Sequence, residues 1–313
     1  MDINMMKDEP RLLVEVPLKP IQGTRFQPTG FPDLGAATYN MADGKEMLLL
    51  ESTQSMANRM ETICWDEGNK KIIDPLEGLP FVKVLDQDGN FLTNSLLESH
   101  RINSPYILES QDKTFLEMLK NELNILKDRP IDMELLSRTL MKYDVNTLLH
   151  GVFLAKKDLA GGRLRLPRAL SGFVEAEDVT VAPSGGVKMD HVDPQGETKK
   201  GFGHVPFHRD EYTGKITAYF NLDISQIKGY GLGEDAENLL IAIAMYKIRK
   251  VLDNGLRFRT ACDLEIDGDV MVKRPEGFRL PETSELESML PGLISKARDS
   301  FAEPPVTEVT YKK

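Results

Sequence analysis

The sequence predicts an α+β fold in which helices cover one face of an antiparallel sheet. Strand-like and helix-like segments follow one another in the order strand, helix, strand, strand, helix, strand. This is the split βαβ, or ferredoxin-like, order. The predicted strands alternate apolar and polar residues, which is typical of an antiparallel sheet with one covered face and one open face.

Four strands and two helices make up this predicted core. In the third strand, Ile216 and Phe220 fall on one face and Tyr219 on the other, because side chains alternate along a strand. After the second helix, the pair Asn254 and Gly255 is typical of a left-handed cap. The predicted strands are 11–19, about 169–181, 214–224 and 256–267, and the predicted helices are 45–65 and 235–254.

The remaining segments are predicted to lie outside this core. Residues 83–146 are predicted to be an inserted, largely helical subdomain, and residues 147–155 a further strand. Residues 183–212 have no hydrophobic period and many Gly and Pro residues, so they are predicted to be a long loop, a kind of segment that is usually functional or disordered. The tail, residues 303–313, is expected to fray. The whole chain is interpreted as a single core with this insertion and this loop.

Composition narrows the function classes. The 313 residues are 41% hydrophobic and 28% charged, as in ordinary globular proteins, and no stretch reaches the ~18 apolar residues of a membrane span. Cys64 and Cys262 lie far apart on apolar sides of predicted elements. They are therefore predicted to be buried free thiols in a reducing compartment, and a cytoplasmic location is expected.

The net charge of −10 requires any site for a polyanion to be local. The densest basic segment is 156–168, which has five cations and one acid, Asp158. A second basic segment is 247–259. Charge clusters of this kind are usually solvated faces, so neither segment alone indicates a binding site.

Hydrogen-bond donors are concentrated between residues 11 and 65. A loop with Gln22, Thr24, Arg25 and Gln27 leads toward the first predicted helix, where Ser52, Ser55 and Arg59 have the spacing i, i+3 and i+7. Donors on a loop and along one helical stripe can hold phosphate and sugar oxygens. The alternative is a surface loop followed by a helix whose C-terminus Arg59 complements.

The open face of the predicted sheet also has side chains suited to single-stranded RNA. Thr217, Tyr219 and Asn221 share one face of their strand, and Arg257 and Arg259 share one face of another. Stacking, hydrogen bonding and charge on one surface are how such sheets bind RNA. No aromatic-rich RNP signature is present, so an ordinary solvated face is the alternative.

A metal site is a different hypothesis for residues 183–212. His191 and Asp193, followed by His204 and His208, could form a two-His-one-carboxylate site of a metalloenzyme. Pro206 argues against the helix that would align the last two histidines. Unremarkable loop histidines are the alternative.

A third hypothesis is a dinucleotide site. Gly231, Gly233 and Ala236 have half of a dinucleotide fingerprint between a predicted strand and a predicted helix. Glu234 and Asp235 would repel a pyrophosphate there, so a Gly-rich turn before an acidic helix N-terminus is the alternative.

Long blocks of the chain resemble one known family. The blocks include LVEVPLKPIQGTRFQPTGFPDLGAA, LLLESTQSMANRMETICWD, LTNSLLESHRINSPYI, LRLPRALSGFVEAEDV, SGGVKMDHV, GFGHVPFHRDEYTGKITAYFNLDISQIKGYGLG and GLRFRTACDLE. They are similar to the CRISPR-associated RAMP proteins of the Csb family, the Cas-seven-type backbone subunits of type I-G (formerly I-U) interference complexes. The resemblance covers roughly residues 11–267.

The resemblance implies an RRM-like palm with inserted finger and thumb regions. Copies of the chain would polymerise as a helical filament along a CRISPR RNA, holding its backbone and leaving its bases free to pair with a target DNA strand. Further implied partners are the large subunit and the subunit that caps or processes the guide end, with no membrane. No cofactor, metal or catalysis is implied. Related type III backbones cut target RNA with a loop aspartate, for which Asp33 would be the residue to test here.

The resemblance also suggests residues that contact the guide backbone. The first choices are Gln22, Thr24, Arg25, Gln27, Ser52, Ser55, Asn58 and Arg59. The next are His100, Arg101, Asn103, Arg163, Arg165, Arg168, Arg257 and Arg259. Lys188, Lys199 and Lys200 lie in residues 183–212, which would be the thumb that intercalates or kinks the strand.

Overall fold

The structure is a computed structural model that describes residues 6, 8–31, 35–110, 113–123, 132–159 and 161–312. The strands are β1 (Arg11–Pro20), β2 (Gly30–Phe31), β3 (Gly35–Ala36), β4 (Thr38–Asn40), β5 (Glu46–Glu51), β6 (Trp65–Asp66), β7 (Lys71–Ile72), β8 (Phe81–Leu85), β9 (Phe91–Asn94), β10 (Val152–Leu154), β11 (Leu164–Leu166), β12 (Leu170–Lys188), β13 (Val205–Asp223), β14 (Leu256–Arg259), β15 (Cys262–Ile266), β16 (Met271–Arg274) and β17 (Val306–Thr310). The helices are α1 (Thr53–Thr62), α2 (Pro105–Leu108), α3 (Thr114–Glu122), α4 (Met133–Tyr143), α5 (Val145–His150), α6 (Ile224–Lys228), α7 (Glu234–Asp253) and α8 (Thr283–Ala297). Short 3₁₀ helices span Asp74–Leu76, Arg101–Asn103, Thr198–Lys200 and Arg298–Ser300.

The main sheet is antiparallel and has the strand order β14-β15-β1-β13-β12-β5-β4, with β16 also paired to β1. Val14 lies opposite Phe220, and both side chains are buried. The alternation predicted for β1 and β13 is confirmed, because their apolar residues alternate with half-buried polar ones. The fold is therefore a mixed α+β fold with one antiparallel sheet at its centre.

The predicted helix 45–65 is wrong in its first part. Residues 46–51 form β5, which pairs with β12, and the helix begins at Thr53 after the N-cap Ser52. In β5, Leu48 and Leu50 are fully buried. A continuous apolar run of this length fits a buried strand as well as a helix, so hydrophobicity alone could not separate the two. The other predicted core helix, 235–254, is confirmed as α7.

The predicted loop 183–212 is largely a long two-stranded hairpin. Strands β12 and β13 stay paired from Leu170 and Leu222 out to Lys188 and Val205, so only 189–204 lie outside the strands. Gly185 fits the pairing because a Cβ there would come within 2.6 Å of the Phe207 carbonyl oxygen. Glycine in a strand can mark such a close backbone approach, which explains why the segment read as a loop.

The predicted single strand 256–267 is two strands. β14 and β15 pair with each other across a turn at Thr260 and Ala261, with Arg259 opposite Cys262. The alternating pattern continues through the turn, so hydrophobic periodicity does not reveal the reversal. The turn places the Ala261 carbonyl where it accepts from the Gln27 amide.

A second, smaller sheet has the order β17-β8-β9. The tail was expected to fray, but residues 306–310 form β17 and pair in parallel with β8, where Val309 is buried opposite Val84. The predicted strand 147–155 is also wrong in part, because its first residues belong to α5 and only 152–154 form a strand, β10. Within residues 83–146, where a largely helical insertion is predicted, α3 and α4 are helices.

Both thiols are buried and free, as predicted for Cys64 and Cys262. Among the helices that the structure describes, none has the length and apolar character needed to cross a membrane.

Candidate nucleic-acid interface

The segment that follows β1 joins three parts of the main sheet. The Gln27 amide donates to the carbonyl of Ala261 at 2.6 Å, and the Thr29 amide donates to that of Leu50 at 3.2 Å. Phe26 is fully buried and forms an isolated bridge with Tyr212. The backbone from 26 to 29 is therefore fixed between β13, β5 and the turn between β14 and β15.

Two of the predicted contact arginines meet at a buried acid. Glu51 has a side chain only 1% exposed and accepts from Arg59 Nε and Arg259 Nη2, each at 2.8 Å. Ser55 Oγ also donates to this carboxylate. Arg59 further donates to the Phe258 carbonyl at 2.9 Å, and its guanidinium lies 4.8 Å above the Phe258 ring. The predicted donor stripe is thus engaged within the protein.

The other predicted contact residues of this region differ in their exposure to solvent and in their hydrogen-bond partners. Ser52 caps α1, its Oγ accepting from the Ser55 amide. Gln27 Oε1 accepts from Arg209 Nη1. The Arg25 side chain is 52% exposed, and its Nε lies 3.6 Å from a carboxylate oxygen of Glu211. The exposed residues of this group are Gln22, Thr24, Arg25 and Asn58.

A second buried acid engages Arg101. Glu61 accepts from Arg101 Nε at 2.6 Å and from Nη2 at 2.9 Å, and Arg101 is only 6% exposed. The Glu61 carboxylate also accepts from Asn146 Nδ2 at 2.6 Å. Asn103 accepts the Ala155 amide at 3.0 Å. The predicted RNA contact of Arg101 is poorly compatible with this buried bidentate pair, which instead fixes the turn that positions exposed His100.

The short hairpin of β10 and β11 presents the predicted basic segment. Arg163 and Arg165 are exposed there, and the Arg165 guanidinium lies 4.7 Å above the Phe153 ring. Phe153 is itself 44% exposed, although the sequence analysis had not selected it. Lys156 pairs with Glu109. An exposed aromatic ring beside exposed arginines is suited to stacking with nucleic-acid bases.

Arg168 is held differently from Arg59 and Arg101. Its Nη1 donates to the Thr53 carbonyl at 2.9 Å, its Nη2 to Gln54 Oε1 at 2.8 Å, and its Nε to the His150 carbonyl at 3.4 Å. These acceptors are neutral oxygens. Burial, and then the charge of Arg101, lower the pKa of the Arg168 guanidinium. Arg168 lines a cleft of about 730 Å³ together with His100 and Phe153.

The open face of the main sheet has an aromatic pair. Tyr219 stacks on Phe173 of β12, with ring centroids 5.0 Å apart and planes at 22°. Glu15 lies opposite Tyr219 on β1. Arg257 is exposed on β14, which β15 and β1 separate from β13 in the sheet, and Arg259 is engaged by Glu51. The expected single surface of Tyr219 with both arginines is therefore not formed.

The hairpin tip is exposed and has both cations and apolar side chains. Lys188 and Lys199 are exposed, and so is Lys200, which pairs with Glu197 at 2.7 Å. The large apolar side chains exposed near the tip are Val187, Met189, Val192, Phe202 and Phe207. Alternating cations and apolar groups on a projecting ribbon suit contact with a strand of nucleic acid.

Comparison with protein families identifies the chain. The family model described as CRISPR-associated protein GSU0053 matches residues 12–181, more than half of the sequence. The chain belongs to this family. It is a CRISPR-associated family of the Cas7, or RAMP, type, in agreement with the resemblance found in the sequence.

Solved structures of low overall similarity were also found. A chain of a structure titled "CRISPR RNA-guided surveillance complex, pre-nicking" is 12% identical with a TM-score of 0.40, over 92% of this chain and 89% of that chain. Csc2 from Thermofilum pendens is 10% identical with a TM-score of 0.33, over 97% of this chain and 85% of that chain. Both scores are low, so neither locates a binding site. No curated protein matches the chain.

The geometry of this CRISPR-associated protein does not favour the metal hypothesis. His204 Nδ1 accepts the Asp190 amide at 2.9 Å, and the Asp190 carboxylate accepts three backbone amides of the tip. These amides lower the pKa of Asp190. Across the part of the chain that the structure describes, no group of three His, Cys, Asp or Glu side chains could hold a metal ion. His204 and Asp190 instead shape the turn.

The dinucleotide hypothesis is not favoured either. A short helix, α6, separates β13 from the glycines, so the motif does not follow a strand directly. Gly233 is the N-cap of α7, and acidic residues fill the first turn of that helix. Those carboxylates complement the helix N-terminus and leave no place for a pyrophosphate.

Proposed function

We propose that this chain is a CRISPR-RNA-binding backbone subunit of a type I interference complex, of subtype I-G. Membership of a CRISPR-associated family of the Cas7 type is the observation that carries the proposal. The subunit holds the guide by its backbone and leaves the bases to pair with the target DNA strand. Sequence reading is then delegated to base pairing, so the protein needs only phosphate and shape contacts.

The proposed palm is the split βαβ unit formed by β15, β1, β13 and β12 with α1 and α7. The antiparallel order of these four strands supports this assignment. The long hairpin of β12 and β13 is the proposed thumb, and the elements between residues 83 and 146 supply the finger region. The exposed tip supports a role for the hairpin against the RNA strand.

The proposed guide contacts divide into two groups. Arginines engaged by buried acids, namely Arg59, Arg101 and Arg259, act as supports that fix the backbone around them. The direct contacts are then the predicted residues that remain exposed, together with Arg168, which donates to neutral oxygens. These are Gln22, Thr24, Arg25, Asn58, His100, Arg163, Arg165, Arg168, Lys188, Lys199, Lys200 and Arg257.

The local placement of these cations reconciles RNA binding with the net charge of −10. Contacts to phosphate release counterions, so binding is strongly salt-dependent even when the rest of the surface is acidic. Copies of the chain stack head to tail along the guide, and such heterologous contacts produce open helical assemblies. The large subunit and a guide-end subunit complete the complex in the cytoplasm.

The proposed subunit has no catalytic role and needs no metal or cofactor. Asp33, the residue to test for target cleavage, lies outside the described residues. Substituting Asp33→Ala is expected to leave guide binding and interference unchanged, and loss of an RNA-cleaving activity on that change would contradict the proposal.

The test is the ultraviolet spectrum of the protein expressed with its CRISPR array and purified at low salt without nuclease. The chain has one Trp and eight Tyr, so bound RNA would dominate the absorbance at about 260 nm. An excess that ribonuclease removes, with collapse of large assemblies, is the expected result. The matched control is the same preparation from cells that lack the array. A protein spectrum from both preparations, with the partner subunits present, would contradict the proposal.

A further inference from the structure

The open face of the main sheet has a stacking surface that the proposed guide contacts do not use. Tyr219 of β13 lies opposite Phe173 of β12, and their rings stack with centroids 5.0 Å apart. Both side chains keep part of their surface exposed. Helix α1 packs on the other face, where a Cβ on Gly172 would lie 3.0 Å from Met56 Cγ. Exposed aromatic rings on an open sheet are a platform on which the bases of single-stranded RNA can stack.

Three carboxylates surround this ring pair. Glu15 lies directly opposite Tyr219 on β1. Glu175 and Glu177 follow Phe173 at every second position of β12, so they share its face of the sheet. Burial raises the pKa of the Tyr219 hydroxyl, and the charges of the three acids act in the same direction. The carboxylates therefore lie close enough to the rings to repel an anion that stacks there.

The lysines beside the ring pair are already paired with acids. The pairs are Lys45 with Glu177 at 2.7 Å, Lys273 with Glu15 at 4.0 Å and Lys215 with Asp178 at 2.9 Å. Glu175 differs, since it accepts from the neutral Tyr39 hydroxyl at 3.0 Å and, within the described ranges, forms no ion pair. A phosphate would thus meet one carboxylate without a cation and three lysines whose charge is balanced. This repulsion opposes the gain from stacking.

The exposed ring of the short hairpin has the opposite electrostatic surroundings. The Arg165 guanidinium lies 4.7 Å above the Phe153 ring, and Arg163 is exposed on the same hairpin. The two aromatic surfaces of the molecule therefore differ in the sign of the charge around them. Because both can stack with a base, the charge decides which of them an RNA strand contacts.

We propose that Glu15, Glu175 and Glu177 exclude single-stranded RNA from the open face of the main sheet. The guide is thereby confined to one path across each subunit. The inference rests on the proposed function, because it concerns the surface from which an RNA-binding subunit must keep its RNA away. The ring pair follows from the preference of half-buried strands for aromatic residues, and the acids prevent its use as a second site. Guide bases that do not stack on the sheet stay available to the target strand.

The test asks whether RNA binds to the open face once the acids are made neutral. The triple variant Glu15→Gln, Glu175→Gln and Glu177→Gln nearly keeps the side-chain shapes and removes three negative charges. Its affinity for an oligoadenylate of about five nucleotides, measured by fluorescence anisotropy, should rise about tenfold over the wild type. Ultraviolet irradiation should then crosslink the oligomer to Tyr219, which it does not do in the wild type. Adding Tyr219→Ala to the triple variant should abolish both the gain and the crosslink.

Two controls separate the effect of this face from net charge and from folding. Glu77→Gln, Asp299→Asn and Glu303→Gln together remove the same charge from exposed sites elsewhere, and should raise the affinity less than about twofold. Glu175→Gln alone breaks no ion pair among the described residues, so it should give a gain of about threefold without loss of stability in urea. An equal rise in affinity in the two triple variants would contradict the proposal.

The same measurements distinguish a failure of this inference from a failure of the proposed function. If the wild-type chain binds RNA but neither Glu175→Gln nor the triple variant of the three acids gains affinity, the exclusion is wrong and the backbone function stands. The same conclusion follows if a guide bound to the wild-type protein crosslinks at Tyr219. If neither the wild-type chain nor its assembled complex binds RNA, the proposed function fails and the exclusion has no role.

Discussion

Arg259 Nη2 donates to the buried carboxylate of Glu51 at 2.8 Å, although the two residues lie on β14 and β5, far apart in the strand order of the main sheet. Arg59 Nε reaches the same carboxylate from α1, also at 2.8 Å. The acid therefore joins two distant parts of the sheet to the helix that packs on it. Residues with the composition of an RNA-binding stripe are, in this place, part of the internal framework.

Substituting Glu51→Gln is expected to lower the free energy of unfolding by about 3 kcal/mol, because it leaves two arginines around a neutral group. The value lies at the low end for a broken buried pair, since the side chains of Arg59 and Arg259 stay 33% and 23% exposed. Urea unfolding at neutral pH measures it. Glu303→Gln, whose side chain is 77% exposed, is the control and should change stability by less than about 1 kcal/mol. Equal losses in the two variants would contradict the prediction.

The sequence allowed the central strands and the long helix to be predicted because their patterns have one interpretation. The period of two in β1 and β13 and the long apolar period of α7 each fit a single kind of element. The errors fall where local patterns fit two structures. The apolar run of β5 fits a helix as well as a strand, and the glycine-containing ends of β12 and β13 fit a loop as well as a paired hairpin.

The candidate site was less predictable than the fold, for an electrostatic reason. Arginines that pair with buried acids and arginines that stay free look alike in sequence. Arg101 and Arg168 are both predicted contacts, but Arg101 pairs with Glu61, whereas Arg168 donates to neutral oxygens of Thr53 and Gln54. Partners distant in sequence decide this difference, and one sequence does not reveal them. The sequence did not indicate Phe153 because it belongs to no recognisable binding motif. Its exposure and its contact with Arg165 are seen only in the structure.

Asp144 should make stability depend on pH in an unusual direction. It is fully buried beside Thr147, and burial raises its pKa from 3.8 to about 6. The folded state therefore holds a proton that the unfolded chain has lost between about pH 4 and about pH 6. This group stabilises the fold fully below its unfolded pKa, and the contribution, about 3 kcal/mol, is lost as the pH rises to about 6.

The measurement is the stability difference between Asp144→Asn and the wild type at about pH 4.5 and about pH 7. The variant lacks the titration, so it should gain about 2 kcal/mol relative to the wild type over this range. His150 titrates in the opposite direction, because burial holds its pKa well below 6.5, but it is present in both proteins. A stability difference that is constant with pH would show that Asp144 keeps an ordinary pKa.

Both thiols should resist modification in the folded protein. Burial raises the pKa of Cys262 to about 11 and also raises that of Cys64, so little thiolate forms at neutral pH. A disulfide reagent is expected to react with neither thiol in native buffer and with both after unfolding. Thr198→Cys, at the exposed tip, is the positive control and should react at once. Reaction of a native thiol at the rate of the control would contradict their burial.

The C-terminal strand should contribute to stability. Val309 is buried in β17 against β8, so Val309→Ala is expected to cost about 2 kcal/mol of unfolding free energy through lost packing. Thr310→Ala, at an exposed position of the same strand, is the matched control and should be nearly neutral. Thermal or urea unfolding measures both. If the two variants are equally stable, the tail is not packed as described.

Arg163 and Arg165 should act on RNA binding without acting on stability. Both are exposed on the basic hairpin, where each can neutralise a phosphate. Because each neutralised phosphate contributes about 0.7 to the salt slope of a single strand, the double Ala variant should lower that slope by about 1.4 and weaken all sequences alike. Arg279→Ala, an exposed arginine paired with Glu285, is the matched control and should leave the slope unchanged.

Arg101→Met is the converse variant and should lose about 3 kcal/mol of stability, because it leaves Glu61 buried without its partner. Affinity measured from about 50 to 200 mM salt, together with urea unfolding of the same proteins, separates the two roles.

A double variant of Arg163 and Arg165 that keeps the wild-type salt slope would remove the hairpin of β10 and β11 from the guide contacts. The binding would then have to depend on the cations of the long hairpin, whose Lys199 and Lys200 give the next pair to substitute.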